Sequence, residues 1–396
     1  MTVKENLYNK RIISIDAFRG ITIFIMIFVN ELAGVANIPQ WMKHMPADAD
    51  AMTFVDVVFP AFLFIVGMSI PFAFNARLIK GDSNAVIWQH TLKRTLALII
   101  MGVYMVNAGG GYDASKMLIV PALWAFFAYF LPIPVWNKYD DSVPTLLKNF
   151  LKYGGILGFI VLYFLYVQDN GNIGLSPQWW GILGLIGWAY LFTVIFYWFT
   201  NGNLMAMFLF FFVCITANCI NLTEGIAIKD FFIFSFVAGH MTHASIVSAG
   251  VILSLLFFDG EVLKTVNLKA VGFGILLFVM GFLLRPYYEV SKIRGTPSWG
   301  LYSAAICTAL YYFLFWLMEI KKQSKWSMFF MPAAANPLLI YILPGIIIYF
   351  NLSVGISIIP EYFGSGILGI IWCLVFSIIM LLMMKVFNKL KIRLHL

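Results

Sequence analysis

Apolar residues along this chain gather into blocks of about twenty, separated by short polar breaks. That is the length of helix needed to cross the ~30 Å hydrocarbon core of a bilayer. In the first half the blocks fall near residues 12–34, 53–76, 91–107, 115–135, 148–168, 178–200 and 203–220. In the second half they fall near 231–258, 267–285, 299–320, 333–352 and 363–387. Membrane strands would instead need ~10-residue segments of alternating polarity. The pattern predicts an all-α polytopic membrane protein with about twelve transmembrane helices. Eleven is the alternative count, because only Asn201, Gly202 and Asn203 divide two blocks, and Pro132 and Pro134 crowd the end of the fourth.

Lys and Arg concentrate on the cytoplasmic ends of membrane segments. With the N-terminus inside, twelve spans place nineteen of the 26 basic residues at inner ends, among them Lys4, Lys10, Arg11, Lys93 and Arg94. Lys43, Lys116, Lys229, Arg285, Lys292 and Arg294 fall outside, and Arg19 lies within the first span. Both termini are therefore expected in the cytoplasm. The first block exceeds the ~7–15 apolar residues of a signal peptide and carries Asp16 and Arg19, so it is read as a retained span. No linker divides the chain, and residues 1–396 are expected to form a single integral-membrane domain. The two loops richest in chemistry, near 35–52 and 286–298, fall on the outer side.

At 62% hydrophobic and 11% charged over 396 residues, the composition excludes a soluble domain, which averages roughly 45–50% apolar and about 25% charged. The net charge of +8 reads as an orientation signal before an attraction to anionic partners, so membrane lipids are expected as partners and nucleic acid is not. Cys214, Cys219, Cys307 and Cys373 sit inside apolar blocks and read as small buried hydrophobes.

Ionisable groups inside a span are costly and mark candidate sites. Asp16 and Arg19, three apart in the first span, share a helix face and can pair, either to lock packing or to meet a ligand. Asn30 and Glu31 follow at its outer end. His44 is the only histidine in an outer loop, and its ordinary pKa of ~6.5 suits a general base. Asn30, Asp48, Asp50 and Asp56 are near enough in sequence to orient it. Pro60 and Pro71 free backbone carbonyls in the second span, where a kink could shape a pocket. His240 and His243, at i and i+3, would share a face, and interhelical hydrogen bonds are favoured over a metal because no third ligand is evident.

The series Arg11, Ile13, Ser14, Asp16, Phe18, Arg19, Gly20, Val29, Asn30, His44, Thr53, Asp56, Phe59, Pro60, Phe62, Phe64, Ile65 and Gly67 resembles the heparan-alpha-glucosaminide N-acetyltransferase family of transmembrane acyltransferases over residues 11–76. Lys292, Ser298, Trp299 and Asn336 with Pro337 add to the likeness. The resemblance implies transfer of an acetyl group from cytoplasmic acetyl-CoA to an amino sugar or sugar hydroxyl across the membrane, without a metal. It further implies a bacterial cytoplasmic membrane and a family in which homodimers occur. Asn30 and His44 match the family's catalytic pair, and Asp56 or Asp48 would orient His44. Asp16, Arg19, Lys93, Arg94, Lys292, Ser298, Trp299 and Asn336 are the expected donor-binding residues. Two departures stand out. The loop after His44 is two residues longer, and the family's Gln and Arg are replaced by Ala125 and Phe126.

Within this reading His44 is the general base and Asn30 stabilises the thioester oxygen, or His44 is itself acetylated in a ping-pong route. A reading from another class is a proton-coupled secondary transporter, since Asp16, Arg19, His240 and His243 lie within spans.

Overall fold

The computed structural model describes residues 12–258, 263–357, 361–394 and 396. Lys4, Lys10 and Arg11 of the inner-side set lie outside them. Every apolar block contains helix: α1 (Ile13–Leu32), α2 (Phe54–Ile79), α3 (Asn84–Ala108), α4 (Pro121–Phe130), α5 (Pro132–Trp136), α6 (Thr145–Leu165), α7 (Gly181–Phe199) and α8 (Leu204–Leu222). There follow α9 (Phe232–Gly239), α10 (Met241–Phe258), α11 (Leu263–Tyr288), α12 (Pro297–Phe315), α13 (Met331–Ala335), α14 (Pro337–Ser353) and α15 (Gly366–Lys389). Among the described residues only isolated β-bridges accompany the helices, and nine helices are long and apolar enough to cross a bilayer. The protein is an all-helical polytopic membrane protein.

The helices depart from the apolar blocks at identifiable residues. The fourth block becomes helical only at Pro121, whose missing N–H is harmless in a first turn. The eighth block breaks at His240, between α9 and α10. The eleventh breaks at Asn336, where the following Pro337 disfavours helical backbone and φ/ψ is −146°/63°. Three residues suffice to separate α7 from α8. Asn201 and Gly202 take positive φ of 50° and 60°, and the Asn203 side chain caps α8 by accepting from Ala206 N at 3.0 Å.

The chain groups into two compact units. The first comprises the described residues of Met1–Thr22, Pro39–Thr95 and Ile186–Met328. Its axis is α10, buried along its whole length. There α2 and α10 meet backbone to backbone: a Cβ on Gly67 would lie 1.8 Å from the Val247 carbonyl oxygen, and one on Gly250 2.0 Å from that of Phe64. Ser254 Oγ donates to the Met68 carbonyl at 2.9 Å, in the stretch of α2 that Pro71 interrupts.

The second unit comprises the described residues of Ile23–Ile38, Leu96–Leu185 and Phe329–Leu396. Its core is aromatic. Trp124 Nε1 donates to the Leu162 carbonyl at 2.8 Å, and the Tyr104 hydroxyl to that of Phe159 at 2.6 Å. Ala125 is buried, and Phe126 packs on Phe130 and Phe350. The two positions that depart from the resembling family therefore serve apolar packing.

Candidate active site

The site is built at the start of α2. Thr53 and Asp56 form a capping box: Thr53 Oγ1 accepts from Val55 N at 3.2 Å, and Asp56 Oδ2 accepts from Thr53 N at 3.0 Å. The Thr53 hydroxyl proton goes to the Lys43 carbonyl at 2.8 Å, which ties the preceding loop to the helix start. Met45 N also donates to Asp56 Oδ2, at 3.3 Å. The same carboxylate thus caps a helix, folds the loop and has one oxygen to spare.

That oxygen, Oδ1, lies 2.6 Å from His44 Nδ1. The Asp56 side chain is 1% exposed and that of His44 39% exposed. A buried, fully engaged carboxylate therefore holds an imidazole that reaches out of the fold. With Nδ1–H donated to Asp56, the lone pair belongs to Nε2, the tautomer a general base needs.

Pro60 cannot donate to the Asp56 backbone carbonyl four residues earlier. Trp299 Nε1 donates there instead, at 3.1 Å, and Trp299 is completely buried. Beside it the His243 ring packs on Trp299 and Phe59, with centroids 6.1 and 5.6 Å away. Ser298 Oγ is buried without a hydrogen-bond partner.

The loop between α11 and α12 is laced to the His44 loop. Arg285 Nε donates to both oxygens of Asp50, at 3.1 and 2.9 Å, and Val290 N donates to Asp50 Oδ1 at 2.8 Å. Ser291 Oγ donates to the Ala47 carbonyl at 2.9 Å, and Ala51 N to that of Val290 at 3.2 Å. Arg294 pairs with Glu289. Lys292 is thereby brought to the imidazole, its Nζ 3.2 Å from Nδ1 and 3.0 Å from Nε2. A cation nearly equidistant from both ring nitrogens stands over the ring face, off the line of either lone pair. Burial pushes the Lys292 ammonium down to about 8, and the charge of Asp56 opposes that shift.

The other sequence candidates separate into distinct environments. Arg19 donates to Asp16 Oδ1 at 3.0 Å and to Ser69 Oγ at 2.9 Å, so the predicted pair forms and is extended to α2. Lys93 is exposed, and Arg94 lies over the Tyr190 ring at 4.7 Å. Asn30 is exposed near the end of α1, within the second unit. Asn336, also in that unit, spends its amide on the chain's last segment, donating to the Ile392 carbonyl at 2.9 Å and accepting from Leu394 N at 3.3 Å. Asp48 is exposed, and the residue that meets His44 is Asp56. His240 does not continue the α10 face that carries His243. It lies in the break before α10 and stacks on Trp188, 5.7 Å between centroids. Among the described residues no group of three or more His, Cys, Asp and Glu side chains is placed to hold a metal.

Sequence reasoning missed the Lys292–His44 contact and the Asp50–Arg285 link. It also missed the role of Trp299, although Pro60 signals a carbonyl in need of a donor. The fold and this site define a polytopic helical membrane protein with a carboxylate-oriented histidine on a loop. The chain matches the DUF5009 family, a domain of unknown function, over residues 11–223, and it belongs to that family. It is also similar to the human protein named heparan-alpha-glucosaminide N-acetyltransferase, at 37% identity over 98 residues, which are 24% of this chain and 14% of that one. The mouse protein of the same name is 35% identical over 98 residues, again 24% and 14% of the two chains. The matched stretch is thus a small part of each relative's length.

Proposed function

We propose that this protein is a membrane acyltransferase that moves an acetyl group from cytoplasmic acetyl-CoA to an amino sugar or sugar hydroxyl on the opposite side of a bacterial cytoplasmic membrane. The observation that carries this reading is the 2.6 Å contact between His44 Nδ1 and Asp56 Oδ1, and the partial likeness to N-acetyltransferases supports it. The accompanying topology is twelve spans with both termini in the cytoplasm, which puts the His44 loop on the acceptor side.

Acetyl-CoA supplies an activated thioester. The acceptor nitrogen or oxygen attacks its carbonyl carbon, a bond forms there, and the carbon–sulfur bond breaks to release coenzyme A. A nucleophile that still carries its proton attacks poorly, so His44 Nε2 takes that proton as the new bond forms. Asp56 fixes the tautomer and stabilises the imidazolium. Asn30 is assigned the donor to the developing oxyanion, a role worth roughly 3–4 kcal/mol where such donors have been removed. Of the three cations assigned to the nucleotide phosphates Lys93 is exposed, whereas Arg19 is held by Asp16 and Ser69 and Arg94 lies over the Tyr190 ring.

A second reading, secondary transport, draws support from the helix interruptions at His240 and Asn336, because broken helices line transporter sites. Thermal unfolding of the purified protein in detergent, with and without coenzyme A and acetyl-CoA, separates the two. Stabilisation by both ligands at micromolar concentration is expected of the acyltransferase. No shift at millimolar concentration would favour transport.

A further inference from the structure

The Lys292 ammonium is not a loose surface charge. The two residues before it are pinned to the loop that carries His44, through Val290 N to Asp50, Ala51 N to Val290 O and Ser291 Oγ to Ala47 O. The backbone at its other end is closed by Gly295 N donating to the Lys292 carbonyl and by Ser291 N donating to Thr296 Oγ1. Two charges therefore act on the imidazole from fixed positions: the Asp56 carboxylate in line with Nδ1, and the Lys292 ammonium over the face.

These charges have opposite effects. A carboxylate at hydrogen-bond distance favours the imidazolium, which cannot accept a proton, while a cation against the ring favours the neutral form. The remaining charged groups near His44 are largely balanced. On the outer loops Arg285 of α11 is neutralised by Asp50, and Arg294 by Glu289. On the loop of His44 itself Lys43 and Asp48 carry opposite charges. From α10, the His243 ring packs on Trp299 and Phe59.

We propose that Lys292 sets the working charge of His44: its ammonium, pinned over the ring, offsets the Asp56 carboxylate and keeps the imidazole neutral with Nε2 open to the acceptor's proton. Lys292 is then a positioning residue that acts through His44. Its meaning for catalysis rests on the acyl-transfer reading, but the charge balance itself does not.

Diethyl pyrocarbonate tests the balance directly, because it modifies only the unprotonated imidazole. The rate of modification of His44 in the full-length protein is followed between pH 5 and 8 by mass spectrometry of its peptide, in wild type, Lys292→Met and Lys292→Arg. The midpoint in Lys292→Met is expected about one pH unit higher, so that at the acid end His44 reacts up to about tenfold more slowly, while Lys292→Arg follows wild type. Lys292→Gln gives the same comparison should the Met variant fail to fold. Coincident midpoints for the neutral variants and wild type would overturn the proposal, as would an Arg variant that shifts as far as Met. The readout needs no acetyl-CoA, so its failure and the failure of the acyltransferase reading are told apart.

Discussion

Trp299 Nε1 donates to the backbone carbonyl of Asp56 at 3.1 Å, across 243 residues of sequence. The bond exists because Pro60 denies that carbonyl its helical partner. A buried carbonyl left without a donor costs about 1–3 kcal/mol. Pro60 of α2 and the buried indole of α12 therefore form one device, and it fixes the residue that aims His44.

Replacing the indole tests that device. Trp299→Phe is expected to lower stability by about 1–3 kcal/mol and to reduce kcat more than it raises KM. In a Pro60→Ala background, where residue 60 regains an N–H for Asp56, the stability loss should shrink. A double-mutant cycle by thermal unfolding checks this, and purely additive losses would mean that the bond carries nothing.

Asp56→Asn should leave the chain folded and coenzyme A bound, yet lower acetyl transfer by about 10²- to 10⁴-fold, because an amide no longer enforces the tautomer with its lone pair on Nε2. Initial rates and a binding isotherm on the same preparation separate the two effects. Weaker coenzyme A binding at near-normal turnover would place Asp56 outside the proton path.

Much of this arrangement was legible in the sequence. The apolar blocks mark the helices, and the T-x-x-D spacing of Thr53 and Asp56 is a local capping signal. The nearness of Asp56 to His44 follows from a short loop. What was not legible depends on contacts between distant segments. Nothing in the periodicity near residue 292 says that its side chain meets a ring 248 residues earlier. Asn336 enters the donor set only through the family resemblance, whereas His243 stands out as a polar residue in an apolar block. Asn336 instead holds the end of the chain, and His243 packs among aromatic rings. The interruption at His240 lacks the proline that marks the one at Asn336, so the helical register between His240 and His243 could not be foreseen.

The seam between α2 and α10 tolerates no side chain at its two glycines. Gly250→Leu should abolish folded expression and Gly67→Ala should lower the melting temperature sharply, because even one methyl group would overlap a backbone carbonyl. Size-exclusion profiles in detergent check both. A monodisperse Gly250→Leu protein with wild-type melting would contradict the packing.

Asn336→Ala removes both bonds to the chain's last segment and should reduce stability by about 1–3 kcal/mol without altering coenzyme A affinity. A selective loss of donor binding at unchanged stability would instead restore Asn336 to the donor site.

Stability should also depend on Lys292 through pH. Its folded pKa of about 8 lies below the ordinary 10.5, so between those values the unfolded chain binds more protons and this group's contribution to stability rises with pH. Below pH 8 its burial penalty is fully present. Lys292→Met should therefore melt higher than wild type at pH 7, and the difference should fade as pH approaches 10.5. A gap that stays constant over that range would contradict the burial of the charge.

The most direct test of the central claim is release of coenzyme A thiol from acetyl-CoA by purified protein, with a panel of amino sugars as acceptors, in wild type and His44→Ala. The account predicts acceptor-dependent thiol release and acetylated sugar with wild type, and neither with His44→Ala although it still binds coenzyme A. Equal release by His44→Ala, or a wild-type protein that neither binds nor turns over acetyl-CoA, would contradict it.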